Sequence, residues 1–236
     1  MKHLLLLTAS LLLLISCKKD KTRLIDSKYK PDVSIAKFTN STTITNPYFP
    51  APAGKKYIYE GQTEDGLERI EEQRLTDTKT ILGITCIIVN FKAWLNGTLI
   101  EEAWDWYAQD NEGNVWYFGE AVNNYNTDGS LTDHAGSWEA GVDGAQPGTI
   151  MLANPKTGMK YREEYYFNHA EDLAEITATG QTVTIPLGTY TNCIKTRNWT
   201  ELEPDANENK YYAPGIGLVK EVNVTDNTEI ILIAIQ

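Results

Sequence analysis

Histidine, cysteine and cationic side chains are scarce in this sequence of 236 residues. It holds three His, three Cys and 21 Lys+Arg against 32 Asp+Glu, which gives a formal net charge of -11 at pH 7. Because phosphate binding needs a basic face, this charge excludes nucleic acid as the expected partner. With so few His and Cys, we predict neither a metal centre built on those ligands nor a cofactor.

The sequence also lacks the motifs of several common enzyme classes. It contains no Gly-x-Ser-x-Gly turn, no His-Glu-x-x-His zinc site and no glycine-rich phosphate loop. Adjacent carboxylates such as Glu101/Glu102 and Glu163/Glu164 point to opposite faces of a strand, so neither pair can act together. We therefore assign no catalytic residue and favour a non-enzymatic protein, although an active site assembled from separate strands would leave no contiguous motif.

The first 17 residues are typical of a secretory signal that ends in a lipid-attachment site. Leu4–Ile15 is an apolar run that is shorter than the roughly 20 residues a membrane-spanning helix needs. Leu14-Ile15-Ser16-Cys17 resembles the bacterial lipobox, in which a small residue precedes an invariant Cys. The resemblance implies cleavage after Ser16 and acylation of Cys17. We therefore predict that a lipid anchors the protein in the cell envelope, at the outer membrane. The sequence does not predict whether it lies on the periplasmic or the surface face.

Composition divides the chain into three parts. Residues 1–16 are the predicted signal peptide, and residues 17–45 are polar and turn-rich, which predicts a lipidated tether. Residues 46–236 contain no Pro/Ser-rich linker, so we predict a single all-β domain there. The segment 121–160 is rich in Gly and Pro and is expected to form a long loop.

Tight-turn signals separate short alternating runs of β-branched and aromatic residues in this domain. Asp65-Gly66 and Asn96-Gly97 accept a positive φ, and Pro214-Gly215 matches the centre of a type II turn. We predict an all-β fold: an antiparallel meander, curved or half-barrel in shape, with little helix. Either a short helix or a strand fits residues 169–176. The predicted strands are Lys56–Glu60, Leu67–Leu75, Ile84–Trp94, Thr98–Gln109, Asn114–Glu120, Tyr161–Phe167, Thr182–Ile185, Thr191–Thr200, Asn209–Tyr212, Leu218–Val224 and Glu229–Ile235.

Aromatic and acidic residues are densest in Glu101–Glu120, which we predict to be a hairpin turning at residues 110–114. Two interpretations fit this pattern. The rings can pack as a sheet core through cross-strand pairs, which is the favoured interpretation, or they can stack on sugar faces while the acids bond hydroxyl groups. The candidate ligand-binding residues are Trp104, Trp106, Tyr107, Trp116 and Tyr117.

The turn of that hairpin, Asp-Asn-Glu-Gly-Asn at 110–114, has the oxygen-rich composition of a calcium loop. It lacks the twelve-residue spacing and the terminal bidentate Glu of an EF-hand. We therefore favour a plain hairpin turn and predict no metal site.

Cys86 and Cys193 both lie in predicted strands. In an oxidising compartment they are candidates for a disulfide, and otherwise each is a separate buried thiol. Bridging needs Cα atoms within about 7 Å, which the sequence alone does not settle.

Three segments carry a family resemblance. They are Trp-Tyr-Ala-Gln-Asp at 106–110, Gly-Asn-Val-Trp-Tyr at 113–117 and Tyr-Tyr-Ala-Pro-Gly-Ile-Gly-Leu-Val at 211–219. Together they resemble a group of uncharacterised secreted bacterial proteins and lipoproteins. The resemblance implies export and a half-barrel of antiparallel strands, similar in shape to lipoprotein carriers that hold acyl chains. It transfers no catalytic residue.

Three functions follow from these observations. The leading hypothesis is a non-enzymatic envelope protein whose curved sheet binds an apolar or amphipathic ligand. A glycan-binding or glycan-processing accessory protein is the first alternative, and it requires exposed Trp and Tyr rings. An interaction subunit of an envelope complex is the second, and it requires an exposed apolar patch.

Overall fold

The computed structural model describes residues 32–203 and 206–236. Within these ranges the chain is almost entirely β-structure, and the helical exception is one 3-10 turn at Val33–Ile35. No helix in the described part is both long and apolar enough to cross a membrane. The predicted signal peptide and Cys17 lie outside the described residues.

Fifteen strands form one antiparallel sheet that is not closed on itself. Its strand order is β10-β8-β5-β4-β3-β2-β1-β15-β14-β13-β12-β11-β9, and β6 and β7 pair with β5. Most neighbours are consecutive in the chain, which is the predicted meander. The strands are β1 Lys56–Gln62, β2 Leu67–Ile81, β3 Ile84–Leu95, β4 Thr98–Gln109, β5 Val115–Tyr125, β6 Leu131–Asp133, β7 Trp138–Glu139, β8 Gln146–Met151, β9 Lys160–Arg162, β10 Glu164–Tyr165, β11 Leu173–Ile185, β12 Gly188–Trp199, β13 Asn207–Ala213, β14 Gly217–Asn223 and β15 Glu229–Ile235.

The structure confirms the all-β class and the meander, decides between two alternatives for one segment and corrects two details. Residues 173–176 begin strand β11, so the strand alternative holds there and the helix does not form. The segment 121–160 is not one loop, because it completes β5 and contains β6, β7 and β8. The predicted strand Tyr161–Phe167 is broken into β9 and β10 at Glu163, since the two pieces pair with different partners.

That break joins the two ends of the sheet. β9 pairs with β11 at one end of the strand order, whereas β10 pairs with β8 at the other. Only Glu163 separates them in the chain, so the curved sheet brings its two ends together at this residue. Gly148 of β8 lies against it so closely that a Cβ there would be 2.2 Å from the Glu163 carbonyl oxygen. We call the contact between Gly148 and Glu163 the seam.

The described part of the predicted tether, residues 32–45, lies on the sheet instead of extending away from it. The ring of Phe38 packs edge-to-face on Trp116 and Phe118, with centroids 6.3 and 5.9 Å apart. Ile44 packs against a core cluster that contains Met151. Apolar side chains at these two positions explain the attachment, because their burial removes them from water.

The candidate disulfide between Cys86 and Cys193 is not formed. Both residues are free, buried thiols. Cys86 belongs to a core cluster with Trp106 and Phe118, whereas Cys193 belongs to a different cluster with Val219 and Leu232. Each therefore acts as a small apolar side chain in its own part of the core.

The turn prediction at Pro214-Gly215 is confirmed. Gly215 has a φ of 79°, which is the positive value that the third residue of a type II turn requires. The Ile216 amide donates to the Ala213 carbonyl at 3.1 Å and closes the turn between β13 and β14.

We expect Gly148→Ala to destabilise the protein by about 3 kcal/mol, because the added methyl overlaps backbone that has no room to move. The φ of Gly148 is outside the left-handed region, so steric overlap at the seam causes the loss. Thermal unfolding followed by circular dichroism measures it. Thr149→Ala is the matched control, with a loss of about 1 kcal/mol or less. Equal stability of the two variants would contradict the seam.

Candidate functional site

The aromatic hairpin is mainly core. Trp106, Trp116 and Tyr117 are 6%, 7% and 7% exposed, so they present no platform for a ligand at the surface. Trp104 and Tyr107 are half-buried. The pairing of β4 with β5 shifts register after Asp105, an irregularity that simple alternation did not predict.

The hairpin turn is held by one carboxylate. Asp110 accepts hydrogen bonds from the amides of Glu112 and Asn114, each at 2.9 Å, and from the Asn114 side chain. It also accepts from the Trp116 indole nitrogen at 2.8 Å. Its oxygens are thus used within the turn, which supports the plain-turn interpretation. In the described ranges no group of three or more His, Cys, Asp or Glu could hold a metal ion.

A cavity of about 190 Å³ lies inside the curve of the sheet. Strands β2 and β13 both line it, although three strands separate them in the order, and Tyr107 of β4 lines it too. The sheet therefore wraps around the cavity. Its charged lining residues are Lys55, Glu72, Arg74 and Lys210, and its other principal lining residues are Tyr57, Tyr59 and Tyr212, with Phe49, Pro50, Val89 and Leu218.

Strand periodicity explains how the polar lining is assembled. Tyr57 and Tyr59 are two residues apart on β1, so their side chains share a face. Glu72 and Arg74 share a face of β2 in the same way, and Tyr57 lies directly opposite Glu72 in the register. The interior face thus carries tyrosines and charges where a filled core would carry aliphatic residues.

Sequence reasoning found Tyr107 and missed the other polar lining residues. The signal was present in the alternation Tyr-x-Tyr at 57–59, Glu-x-Arg at 72–74 and Lys-x-Tyr at 210–212. On each of these strands, charged and apolar residues lie on the same face. No propensity rule therefore says which of the two faces of the strand points inward.

Glu72 is the anionic group of the cavity. Burial raises the pKa of its carboxyl group to about 7, against the opposing influence of the Lys210 ammonium group. The Tyr59 hydroxyl is 3.5 Å from Glu72 Oε2, which is the outer limit of a hydrogen bond. The carboxyl group is therefore only weakly held by its neighbours.

Lys210 is held more firmly. Its Nζ lies 3.2 Å from Glu208 Oε2 and 3.3 Å from Glu221 Oε2. Burial alone would lower the pKa of Lys210, but Glu221 and Glu208 keep it well above its usual range. The ammonium group is therefore neutralised by two carboxylates on β13 and β14.

Arg74 fastens the chain that covers the cavity. Its guanidinium donates to the carbonyl oxygens of Ala51 and Thr42, at 2.5 and 2.9 Å. The segment between these residues includes Phe49, whose ring meets Tyr107 edge-to-face at 4.9 Å. The covering segment is thus anchored at a cationic group and an aromatic contact.

A second group of acids lies deeper in the interior, near the seam. Asn198 donates from Nδ2 to both Glu163 carboxylate oxygens, at 2.9 and 2.8 Å, and Tyr117 donates to Asp105 at 2.7 Å. Burial raises the pKa of both carboxyl groups to about 7. The Trp138 indole donates to Glu164 at 2.9 Å, where burial also raises the carboxyl pKa.

Comparison with known proteins gives one structural likeness. No protein-family model matches the chain, and no curated protein matches it significantly. A crystal structure of a "putative lipoprotein" from Parabacteroides distasonis aligns over 81% of this chain and 99% of its own. The identity is 14% and the TM-score 0.43. At that level the likeness carries no argument, so function is inferred from this chain's own residues.

We expect stability to fall as pH rises from about 4 to about 7. Asp105 and Glu163 have pKa values of about 7 when folded, against 3.8 and 4.5 ordinarily. Because the folded state binds more protons in this range, deprotonation favours unfolding. Glu72 acts in the same direction, but its side chain keeps some accessible surface, so we give it less weight.

Melting temperatures at pH 5 and pH 8 test this expectation. The value at pH 8 should be lower by about 5 °C or more. The double variant Asp105→Asn, Glu163→Gln should show a smaller difference, because neither replacement titrates. A wild-type melting temperature that is equal or higher at pH 8 would contradict the assignment.

Proposed function

We propose that this protein is a lipid-anchored, non-enzymatic component of the bacterial cell envelope that binds a small amphipathic ligand inside its curved sheet. The observation that carries the proposal is the interior cavity, where Glu72 and the tyrosines meet apolar residues such as Phe49 and Leu218. A mixture of aromatic walls and a few polar groups is the usual composition of a ligand pocket.

Cavity size limits the ligand. A cavity of roughly 150 Å³ can hold benzene, whereas pockets for drug-sized molecules run from about 300 to 1,000 Å³. At about 190 Å³, this cavity holds one ring-sized or branched group, with any longer part of the ligand extending outward. A whole acyl chain of the kind suggested by the family resemblance does not fit inside.

The envelope location is supported by the sequence. Leu14-Ile15-Ser16-Cys17 has the order of residue types that lipid attachment requires, and two or more acyl chains on Cys17 would give stable membrane attachment. The outer membrane is the proposed site because Lys18, and not Asp, follows Cys17, so the aspartate that would signal retention in the inner membrane is absent.

The glycan alternative keeps only the half-buried rings of Trp104 and Tyr107 from the surface on which it was based. It required exposed rings on the hairpin, and three of the five candidates are at most 7% exposed. We therefore place the ligand in the cavity and not on the hairpin surface.

Replacing Cys17 with Ala should release the protein from membranes, because it removes the proposed anchor. Fractionation of cells into membrane and soluble material measures the effect. Ser16→Ala is the matched control, since it keeps a small residue before the Cys and should leave attachment unchanged. Membrane attachment of the Cys17→Ala protein, with its signal replaced by an ordinary cleavable one, would contradict the anchor.

Ligand binding is tested by native mass spectrometry of the full chain purified from its own envelope. We expect an added mass on the wild type and its loss in Val89→Phe, because Val89 lines the cavity and the larger ring fills it. Val224→Phe is the control, since Val224 is 42% exposed. An added mass that both variants retain would place the ligand elsewhere, and a bare wild-type chain would count against binding.

A further inference from the structure

The cavity offers cationic groups and hydrogen-bond donors next to apolar walls. Resting on the proposal that this cavity binds a ligand, we propose that the ligand is an organic monoanion: a carboxylate on a compact apolar body, held by the Arg74 guanidinium and the Lys55 ammonium group. The sequence motifs do not indicate this class of ligand. It follows from which side chains the fold brings to the cavity.

The first argument is the charge of the lining. Its cations are Lys55, Arg74 and Lys210, and among the described residues Glu72 supplies its one carboxyl group. Burial raises the pKa of that carboxyl group to about 7, so at pH 6 it is mostly uncharged. The acids nearer the seam do not line the cavity. The lining therefore does not repel an anion.

The second argument is that Arg74 has no anionic partner. Its two terminal nitrogens donate to the backbone carbonyl oxygens of Ala51 and Thr42, and its Nε is buried without a hydrogen-bond partner. Burial lowers the pKa of Arg74, and no carboxylate raises it in return. Lys210, in contrast, is neutralised by two carboxylates. The charge left over at the cavity is therefore that of the guanidinium.

Lys55 is a second cation without an ion pair in the described ranges. It lines the cavity and is exposed, so it lies where the cavity meets solvent. The next residue, Lys56, pairs with Glu71 outside the cavity. A carboxylate that enters from solvent would meet Lys55 first, with the half-buried Arg74 deeper in the site.

The third argument is the supply of hydrogen-bond donors. In the part of the chain that the structure describes, the hydroxyl groups of Tyr57, Tyr107 and Tyr212 line the cavity and donate to no protein group. Glu72 is also a donor when it is protonated. A carboxylate can use these donors because it only accepts hydrogen bonds, and bonds to a charged acceptor are about twice as strong as neutral ones.

The fourth argument is volume. At about 190 Å³, the cavity is slightly larger than one that holds benzene, so a single ring that bears a carboxylate is of this size. Phe49, Val89 and Leu218 supply apolar wall for the ring. One unpaired guanidinium suits a monoanion better than a phosphate monoester, which carries a charge of about -1.5 to -2 at pH 7.

The test compares three molecules of nearly the same shape and different charge. Benzoate is an anion, benzamide is its neutral isostere and benzamidine is the corresponding cation. Isothermal titration calorimetry of the full chain at pH 6 in a non-ionic detergent measures each, with detergent alone as the blank. We expect benzoate to bind at least tenfold more tightly than benzamide, a difference of about 1.4 kcal/mol, and benzamidine to bind most weakly.

One pair of variants assigns the preference to the guanidinium. Arg74→Gln removes its charge and should abolish the preference for benzoate over benzamide. Arg69→Gln is the matched control on the same strand, because Arg69 pairs with Glu60 and Glu71 and does not line the cavity; its preference should equal that of the wild type. Since Arg74 also anchors the covering segment, the ratio of the two affinities is the readout.

A second pair separates the two neighbouring lysines. Lys55→Gln should reduce the preference for benzoate by roughly two- to fivefold, because an exposed charge is partly screened by solvent. Lys56→Gln removes the same charge outside the cavity and should leave the preference unchanged. An equal preference in these two variants would overturn the role of Lys55.

The outcomes separate the two proposals. Equal binding of the three molecules, or tightest binding of benzamide or benzamidine, would overturn the anion and leave a ligand-binding cavity in place. An undiminished preference for benzoate in Arg74→Gln would place the carboxylate elsewhere and overturn the assignment. No binding of benzoate at about 10 mM would overturn the anion proposal, whereas the cavity itself is judged by the added mass in native mass spectrometry.

Discussion

The interior of this protein depends on the curvature that brings the two ends of an open sheet to a single residue. β9 and β10 belong to opposite ends of the strand order, yet only Glu163 separates them. The chain can make this connection because Gly148 offers no side chain at the point of contact. With the ends held together, side chains from strands that are far apart in the sheet face one another across a shared interior.

That space is acidic, which is costly for a protein interior. Desolvation disfavours every ionised carboxyl group there, and the structure offsets the cost by supplying donors instead of many cations. Three carboxyl groups accept hydrogen bonds from neutral side chains: Glu163 from Asn198, Asp105 from Tyr117 and Glu164 from Trp138. Lys210 forms ion pairs with both Glu208 and Glu221. Because the partners of Asp105 and Glu163 are neutral, the pKa values of these two carboxyl groups stay raised, at about 7.

Much of the fold could be predicted from local sequence, and little of the candidate site could. Alternating residues and Gly-containing turns predict the hairpin of β4 and β5 because its register is set within a short stretch of chain. The pairing of β1 with β15 or the meeting of β9 and β10 depends on contacts distant in the sequence. Glu72 and Lys210 become neighbours only through those contacts, so no local pattern marks them as one site. The break at Glu163 was missed for the same reason.

The pairing of the first strand with the last has a consequence for how the molecule is made. On one side β1 is paired with β15. The same pairing continues at the end of the strands, where the backbones of Lys56 and Gln236 exchange two hydrogen bonds. Until β15 arrives, β1 presents an unpaired edge, which can pair with another chain. Such distant pairing slows folding. The edge of β1 therefore stays open until residues 229–235, the last strand of the sheet, have folded against it.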